Sequence, residues 1–116
     1  MFSHEKLQVY HRATEWFAVS AQLIATIPRG EADLVNQLRR AALSIPLNLA
    51  EGTGKTKGPD KKRFYGIARG STLECAAILD AIEILQLGQT AAIRDGKKLL
   101  EDIAAMLTAL ILRWQH

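Results

Sequence analysis

The sequence contains one cysteine, Cys75, and three histidines that are scattered towards the ends of the chain. A single cysteine cannot form an internal disulfide, so no disulfide framework is expected. No histidine, cysteine or carboxylate stands at the spacing of a metal site, and we predict neither a metal ion nor a cofactor. Cys75 falls near the apolar side of its helix and is interpreted as a small core residue rather than a nucleophile.

Proline and long apolar runs are equally scarce. The apolar runs are too short to cross a bilayer, and the start, MFSHEKLQVY, lacks the basic and apolar segments of a signal peptide. No stretch alternates β-branched with polar residues, so the composition favours helix throughout. These absences predict a single all-α domain over residues 1–116, located in the cytoplasm and not associated with a membrane.

What the sequence does have is one ordered stretch, residues 37–52, where an apolar and a polar row lie side by side on a helix. The apolar row is Leu34, Leu38, Ala41, Ala42, Ile45 and Leu49. The polar row is Gln37, Arg40, Ser44, Asn48 and Glu51. Polar groups at the edge of a buried surface need partners, so this row is expected to contact another helix.

The expected partner of the polar row is Glu74 in the third helix. By helical period, this carboxylate falls inside an apolar row formed by Phe64, Ile67, Ile78, Ile82 and Leu85. A buried carboxylate requires a partner, and we predict that Glu74 pairs with Arg40. The resulting structural polar network comprises Gln37, Arg40, Ser44, Asn48, Glu51 and Glu74.

Capping residues and helix breakers predict four helices. Their expected limits are Ser3 to about Ile27, Glu31 towards Gly52, Pro59 or Asp60 to before Gly88, and Thr90 onwards. The apolar row of the second helix continues through Pro46, which favours one kinked helix over two separate ones. Four such helices joined by short turns predict an up-and-down four-helix bundle with a Pro-kinked second helix.

Basic charge is concentrated in residues 39–69, which hold eight basic and two acidic side chains. Such a concentration is typical of a surface that binds a polyanion. The candidate nucleic-acid-binding residues are Arg39, Lys55, Lys57, Lys61, Lys62, Arg63 and Arg69. No exposed aromatic residue is expected among them, which predicts phosphate-led binding with little sequence discrimination. The Gly54-Lys55-Thr56 sequence is not a P-loop, because the required earlier glycine is Leu49 and a helix precedes it.

The run QLRRAALSIPLNLAEGTGK, followed by RFYGIARGSTLE, resembles the four-helix-bundle proteins encoded by intervening sequences of bacterial 23S rRNA genes. Accessory variability determinants of diversity-generating retroelements are similar too. The resemblance spans essentially the whole chain and is most specific in S-I-P-x-N-x-A-E-G, Ser44 to Gly52, where Leu47 replaces a frequent serine. It implies a cytosolic pentamer without catalytic activity, and accessory members bind nucleic acid and a reverse transcriptase.

Three function classes follow. The first is a homo-oligomer that binds nucleic acid, RNA rather than DNA. The second is a protein adapter, for example for a reverse transcriptase. The third is an enzyme, but its only candidate constellation is Arg40, Asn48, Glu51 and Glu74, which a structural network explains equally well, so no catalytic residue is assigned. Assembly is also expected because the fourth helix and the Trp16 row of the first carry more apolar surface than one core buries.

Overall fold

A computed structural model describes residues 1–114 of the chain. It contains a 3₁₀ helix, Ser3–Lys6, and four α-helices: α1 Gln8–Ala25, α2 Ala32–Gly54, α3 Gly58–Ile84 and α4 Thr90–Arg113. Each α-helix packs against two others, α1 on α2 and α4, and α3 on α2 and α4, and there is no strand within residues 1–114. The predicted all-α up-and-down bundle is therefore confirmed. No helix in this part of the chain combines the length and apolar character that a membrane crossing requires.

Helix α2 follows its predicted pattern closely. Leu38, Ala42, Ile45 and Leu49 are fully buried in the core shared by the four helices. Pro46 lies inside the helix, which continues without interruption from Ala32 to Gly54. One helix rather than two is thus confirmed, because the buried row holds both halves against the same core.

The first helix is divided, contrary to the expectation of one helix from Ser3. Leu7 adopts an extended conformation, with φ −85° and ψ 126°, between the 3₁₀ helix and α1. Its side chain is half-buried against the core, and its carbonyl accepts hydrogen bonds from the N–H groups of Tyr10 and His11. Burial of Leu7 turns the N-terminal segment across the end of α2 instead of continuing the helical axis.

Trp16 is fully buried within the chain, so the prediction that its row remains free for another subunit is wrong. The indole occupies space left by the absent side chain of Gly96 in α4, where an added Cβ would lie 2.8 Å from Cζ3 of Trp16. On α4 the large apolar residues are mostly buried or half-buried, and Leu112 is the exposed exception at 57%. Most of the apolar surface of α1 and α4 is therefore used inside the bundle.

The buried face of α3 differs from the predicted one. Its members are Tyr65, Ala68, Thr72, Cys75, Ile78, Leu79 and Ile82. Ile67 is 43% exposed and Leu85 is 56% exposed, so the predicted row is wrong at these positions. Small residues form the middle of the buried face, and the Thr72 hydroxyl is satisfied by donating to the Ala68 carbonyl at 2.8 Å. Small side chains let α3 approach its neighbours closely, which outweighs the greater hydrophobicity of Ile67.

Candidate functional site

The antiparallel order of the helices places the N-terminal 3₁₀ helix, the α2–α3 loop and the end of α4 at the same end of the bundle. Gly58 lies beside Trp114, and a shallow groove is lined by Phe2 and His4 together with Gly54. We call this region the basic end. Its basic residues are Lys6, Lys55, Lys57, Lys61, Lys62, Arg63 and Arg113, against the acidic residues Glu5, Glu51 and Asp60.

Lys6 and Arg113 were missed by the sequence prediction because they are distant from the loop in the chain. The signal that could have found them is the up-and-down topology, which returns both ends of the chain to the α2–α3 loop. Lys6 and Arg113 are both exposed. The positive charge of this end is therefore larger than the basic run alone indicates.

Lys61 is engaged inside the chain rather than free for a ligand. Its Nζ donates to the Thr53 carbonyl at 2.9 Å and lies 3.5 Å from the Gly52 carbonyl, at the C-terminus of α2. The same ammonium stands 5.2 Å from the ring centroid of Trp114. A cation at the negative end of a helix satisfies carbonyls that have no intrahelical partner. Lys61 is thus a cap for α2, a role that its position in a Lys-rich run does not reveal.

Two of the candidate basic residues lie close to the ring of Phe64. Lys55 Nζ lies 5.2 Å and Arg63 Cζ 4.5 Å from its ring centroid. Lys55 also forms an exposed ion pair with Glu51, at 3.7 Å. Phe64 and Trp114 are both half-buried. No exposed aromatic residue was expected among the basic ones, and the rings that α3 and α4 bring to this surface are half-buried, so each is partly accessible.

Lys57 and Lys62 are the two basic residues of the α2–α3 loop region that no contact within the described chain holds. Neither forms a salt bridge or a side-chain hydrogen bond within residues 1–114, and Lys57 is exposed immediately before the first residue of α3. The first backbone N–H groups of a helix carry partial positive charge and attract anions. Lys57, Lys62 and the N-terminus of α3 consequently form the centre of the basic end.

The two remaining candidates lie elsewhere. Arg39 precedes Lys55 by more than four turns of α2, about 24 Å along the helix axis, so it does not belong to the basic end. Arg69 stands on the same side of α3 as Lys62, two turns further along, and its Nε donates to the Thr108 hydroxyl at 2.8 Å. The structure thus groups five of the seven predicted residues, places Arg69 beside them and separates Arg39.

The predicted polar network is reduced to two of its members and gains one. The Ser44 and Ser71 hydroxyls lie 2.8 Å apart and join α2 to α3. The Asn48 amide donates to the Ser44 carbonyl at 2.8 Å and to the Ser44 hydroxyl at 2.9 Å. Ser71 was missed because a serine gives no distinct signal on a helix that exposes apolar residues.

The predicted buried pair of Arg40 and Glu74 is wrong. Both residues are exposed, as are Gln37 and Glu51, and no salt bridge joins Arg40 to Glu74 in the part of the chain that the structure describes. The cause is the rotation of the α3 core face towards the small residues, which turns Glu74 outwards. The polar row of α2 therefore borders an open surface on the outer side of the α2–α3 pair.

The buried thiol of Cys75 offers no nucleophile. Burial raises the pKa of Cys75 to about 12, so the thiolate is not populated near neutral pH. Cys75 is fully enclosed in the core. Its role is therefore to fill space, as its small size and position on α3 predict.

One protein-family model, described as 23S rRNA-intervening sequence protein, matches residues 5–109 of the sequence. The matched segment contains all of α1, α2 and α3 and most of α4, and with them Ser44, Asn48 and Ser71 and most of the basic end. A search among curated proteins finds no match.

Proposed function

The chain belongs to the 23S rRNA-intervening sequence protein family, and from this premise we propose that it is a non-enzymatic, cytoplasmic homo-oligomer that binds RNA through its basic end. The observation that carries the proposal is the position of Lys57 and Lys62 at the N-terminus of α3, without partners inside the described residues. Free ammonium groups beside helix N–H groups are suited to phosphate oxygens.

The net charge of the basic end supports a polyanion as the ligand. Seven basic side chains stand against three acidic ones, and contacts within the chain hold Lys61, Lys55 and Arg63 among the basic ones. A few phosphate contacts per subunit give weak binding. An oligomer with several basic ends on one rim would bind several phosphates of one strand, which raises the apparent affinity without new contacts.

RNA is favoured over duplex DNA by the two aromatic residues. Phe64 and Trp114 are half-buried beside cations, so each ring keeps part of its surface accessible. Bases in single-stranded loops can stack on such rings, whereas bases in a duplex are already stacked. The basic end therefore suits a folded RNA with unpaired nucleotides, and selectivity for sequence is expected to be low.

Fluorescence anisotropy with a labelled hairpin RNA and a duplex DNA of equal length tests the proposal, in about 50 mM and about 200 mM salt. With about three phosphates contacted, the affinity should fall roughly 20- to 40-fold over this range, because bound counterions are released. The variant combines Lys57→Glu with Lys62→Glu. Its matched control combines Arg29→Glu with Arg94→Glu, exposed positions at the opposite end of the bundle.

We expect the basic-end variant to lose most of its RNA affinity while the control retains it, with unchanged helicity and mass for both. Absence of binding by the wild-type protein in low salt contradicts the proposal. So does a basic-end variant that binds as tightly as the control. Either result would favour the protein-adapter function, with a partner such as a reverse transcriptase recognised through another surface.

A further inference from the structure

The outer surface of the α2–α3 pair exposes four large apolar residues. Leu43 is 41% and Leu47 58% exposed on α2, and Ile67 is 43% and Leu73 49% exposed on α3. Single exposed apolar residues are common on protein surfaces, but four on one pair of helices are typical of a contact surface. This surface lies along the side of the bundle and extends to the basic end, where Leu47 lines the same groove as Phe2 and His4.

Two glycines interrupt the outer side of α3. A Cβ atom added to Gly66 or Gly70 would meet no atom within 4 Å, so neither glycine is required by packing inside the chain. Glycine weakens a helix relative to alanine, and here no contact in the chain offsets that cost. The two residues are four apart and share one side of α3, where they leave a strip of bare backbone. Such a strip accepts large side chains from another helix at close approach.

Charged residues flank the exposed leucines of α2 and the glycine strip of α3, and in both helices the positive residue comes first along the chain. On α2, Arg40 precedes and Glu51 follows the exposed leucines; on α3, Arg63 precedes and Glu74 follows the glycines. All four residues are exposed. The separation of the two charges is the same on each helix, about 16 Å at 1.5 Å per residue. The outer side of α2 and the outer side of α3 therefore each carry one positive and one negative residue, separated by the same distance along the helix.

We propose that the outer side of α2 in one copy of the chain packs antiparallel against the outer side of α3 in a second copy. In that direction Arg40 lies opposite Glu74, and Glu51 lies opposite Arg63. The leucines at 43 and 47 then face the glycine strip. A parallel arrangement would put like charges together at both ends, which disfavours it.

The occupant of this surface is a second copy because the chain supplies both complementary halves. The exposed leucines lie on α2 and the glycine strip lies on α3, and the charges that flank them run in the same order along both helices, so they are complementary when the two helices are antiparallel. Because the two surfaces adjoin on one side of the bundle, a two-fold pair of copies satisfies both at once, whereas a contact that engages one surface per pair of copies repeats until a ring closes. The inference rests on the homo-oligomer in the proposed function and names the surfaces that build it. It also gives Arg40, an exposed member of the polar row of α2, a partner on another helix.

Charge reversal with rescue tests the contact, with sedimentation velocity at several protein concentrations as the measurement. Arg40→Glu and Glu74→Arg should each raise the concentration for half-dissociation about tenfold or more, since each juxtaposes like charges. The variant carrying both reversals should return to within about threefold of wild type, because the pairing is restored with opposite sign. Arg94→Glu is the matched control, because it makes the same charge change at an exposed residue of α4, a helix that does not pack against α2.

A second variant tests the glycine strip independently of charge. A Cβ atom added to Gly70 meets no atom within 4 Å, so Gly70→Leu should leave the thermal stability of the subunit unchanged, while the filled strip should block assembly. Circular dichroism separates this result from unfolding. A wild-type protein that remains a 12.8 kDa monomer at micromolar concentration overturns the contact and the oligomer in the proposed function together.

The contact alone is overturned if wild type assembles and the single reversals assemble equally well. The contact alone is also overturned if the doubly reversed variant dissociates more readily than either single variant. In both cases RNA binding by the wild-type oligomer would leave the proposed function in place. Restored assembly in the doubly reversed variant supports the contact, because Arg40 and Glu74 form no salt bridge within one copy.

Discussion

Gly52 lies against the ring of Tyr65, so closely that a Cβ atom added to the glycine would stand 2.9 Å from Cε1 of the tyrosine. The same atom would lie 3.0 Å from Cβ of Phe64. The ring is fixed in place by its hydroxyl, which lies 3.0 Å from the hydroxyl of Thr53. Both Gly52 and Tyr65 are buried. This close approach of α2 and α3 is the physical reason why the run from Ser44 ends in a glycine.

Gly52→Ala is therefore expected to destabilise the chain. Overpacking against Tyr65 should lower the free energy of unfolding by about 1 to 2 kcal/mol, after the gain in helix propensity is subtracted. Gly54→Ala is the matched control, because nothing lies within 4 Å of its added Cβ. Urea denaturation measures both variants. A Gly52→Ala protein as stable as Gly54→Ala would show that α3 moves away without cost.

The sequence predicted α2 better than α3, and the two helices show why. On α2 the buried row has Leu38, Ile45 and Leu49 at intervals of seven and four residues, so the 3.6-residue period is clear. On α3 the buried face has Ala68, Thr72 and Cys75 at its middle, while Ile67 is exposed. Hydropathy alone cannot identify a face made of small residues, because their contribution comes from close packing of the neighbouring helices.

The candidate site was predicted in part for a related reason. Composition identified the basic run, but which of its cations are free depends on contacts that only the fold creates. The position of Lys61 relative to the end of α2 is one such contact. The placement of Trp114 and Arg113 beside the α2–α3 loop is another, since α4 is far from that loop in the sequence. Topology, rather than local pattern, decides these positions.

The hydrogen bond between Ser44 and Ser71 should contribute measurably to the packing of α2 on α3. Ser44→Ala also removes a partner of the Asn48 amide. We expect each serine-to-alanine change to lower the free energy of unfolding by about 0.5 to 1.5 kcal/mol. In a double-mutant cycle the two changes should couple by about 0.5 kcal/mol or more. Strict additivity in denaturant titrations would mean that the two hydroxyls do not interact.

The raised pKa of the buried Cys75 thiol predicts a loss of folding stability at alkaline pH. Its pKa in the folded chain is about 12, whereas an unfolded cysteine ionises near about 8.5. The unfolded state therefore releases its proton first, so the stability present below about pH 8.5 decreases as the pH rises towards the folded-state value. Between about pH 8 and pH 10 the wild-type protein should lose about 1 to 2 kcal/mol more than Cys75→Ala, in which other titrating groups are unchanged.

Thiol labelling provides a second measurement on the same residue. Because Cys75 is fully buried and protonated, a disulfide reagent such as DTNB should react with the folded protein far more slowly than with the protein in denaturant. Rapid labelling of the folded chain at about pH 8 would contradict both the burial and the direction of the pKa change.

Substitutions at Lys61 and Lys57 should distinguish a lysine that stabilises the fold from a lysine that binds RNA, although both lie in the same basic run. Lys61 Nζ caps the α2 carbonyls, so Lys61→Gln should lower the free energy of unfolding by about 0.5 to 1.5 kcal/mol. Lys57 has no partner in the described part of the chain, so Lys57→Gln should leave stability within about 0.5 kcal/mol of wild type.

In RNA titrations the order should reverse, with Lys57→Gln weakening binding more than Lys61→Gln. Thermal melts and anisotropy on the same samples measure both effects. If Lys61→Gln lost more RNA affinity than Lys57→Gln without losing stability, its ammonium would have to leave the α2 carbonyls to contact phosphate.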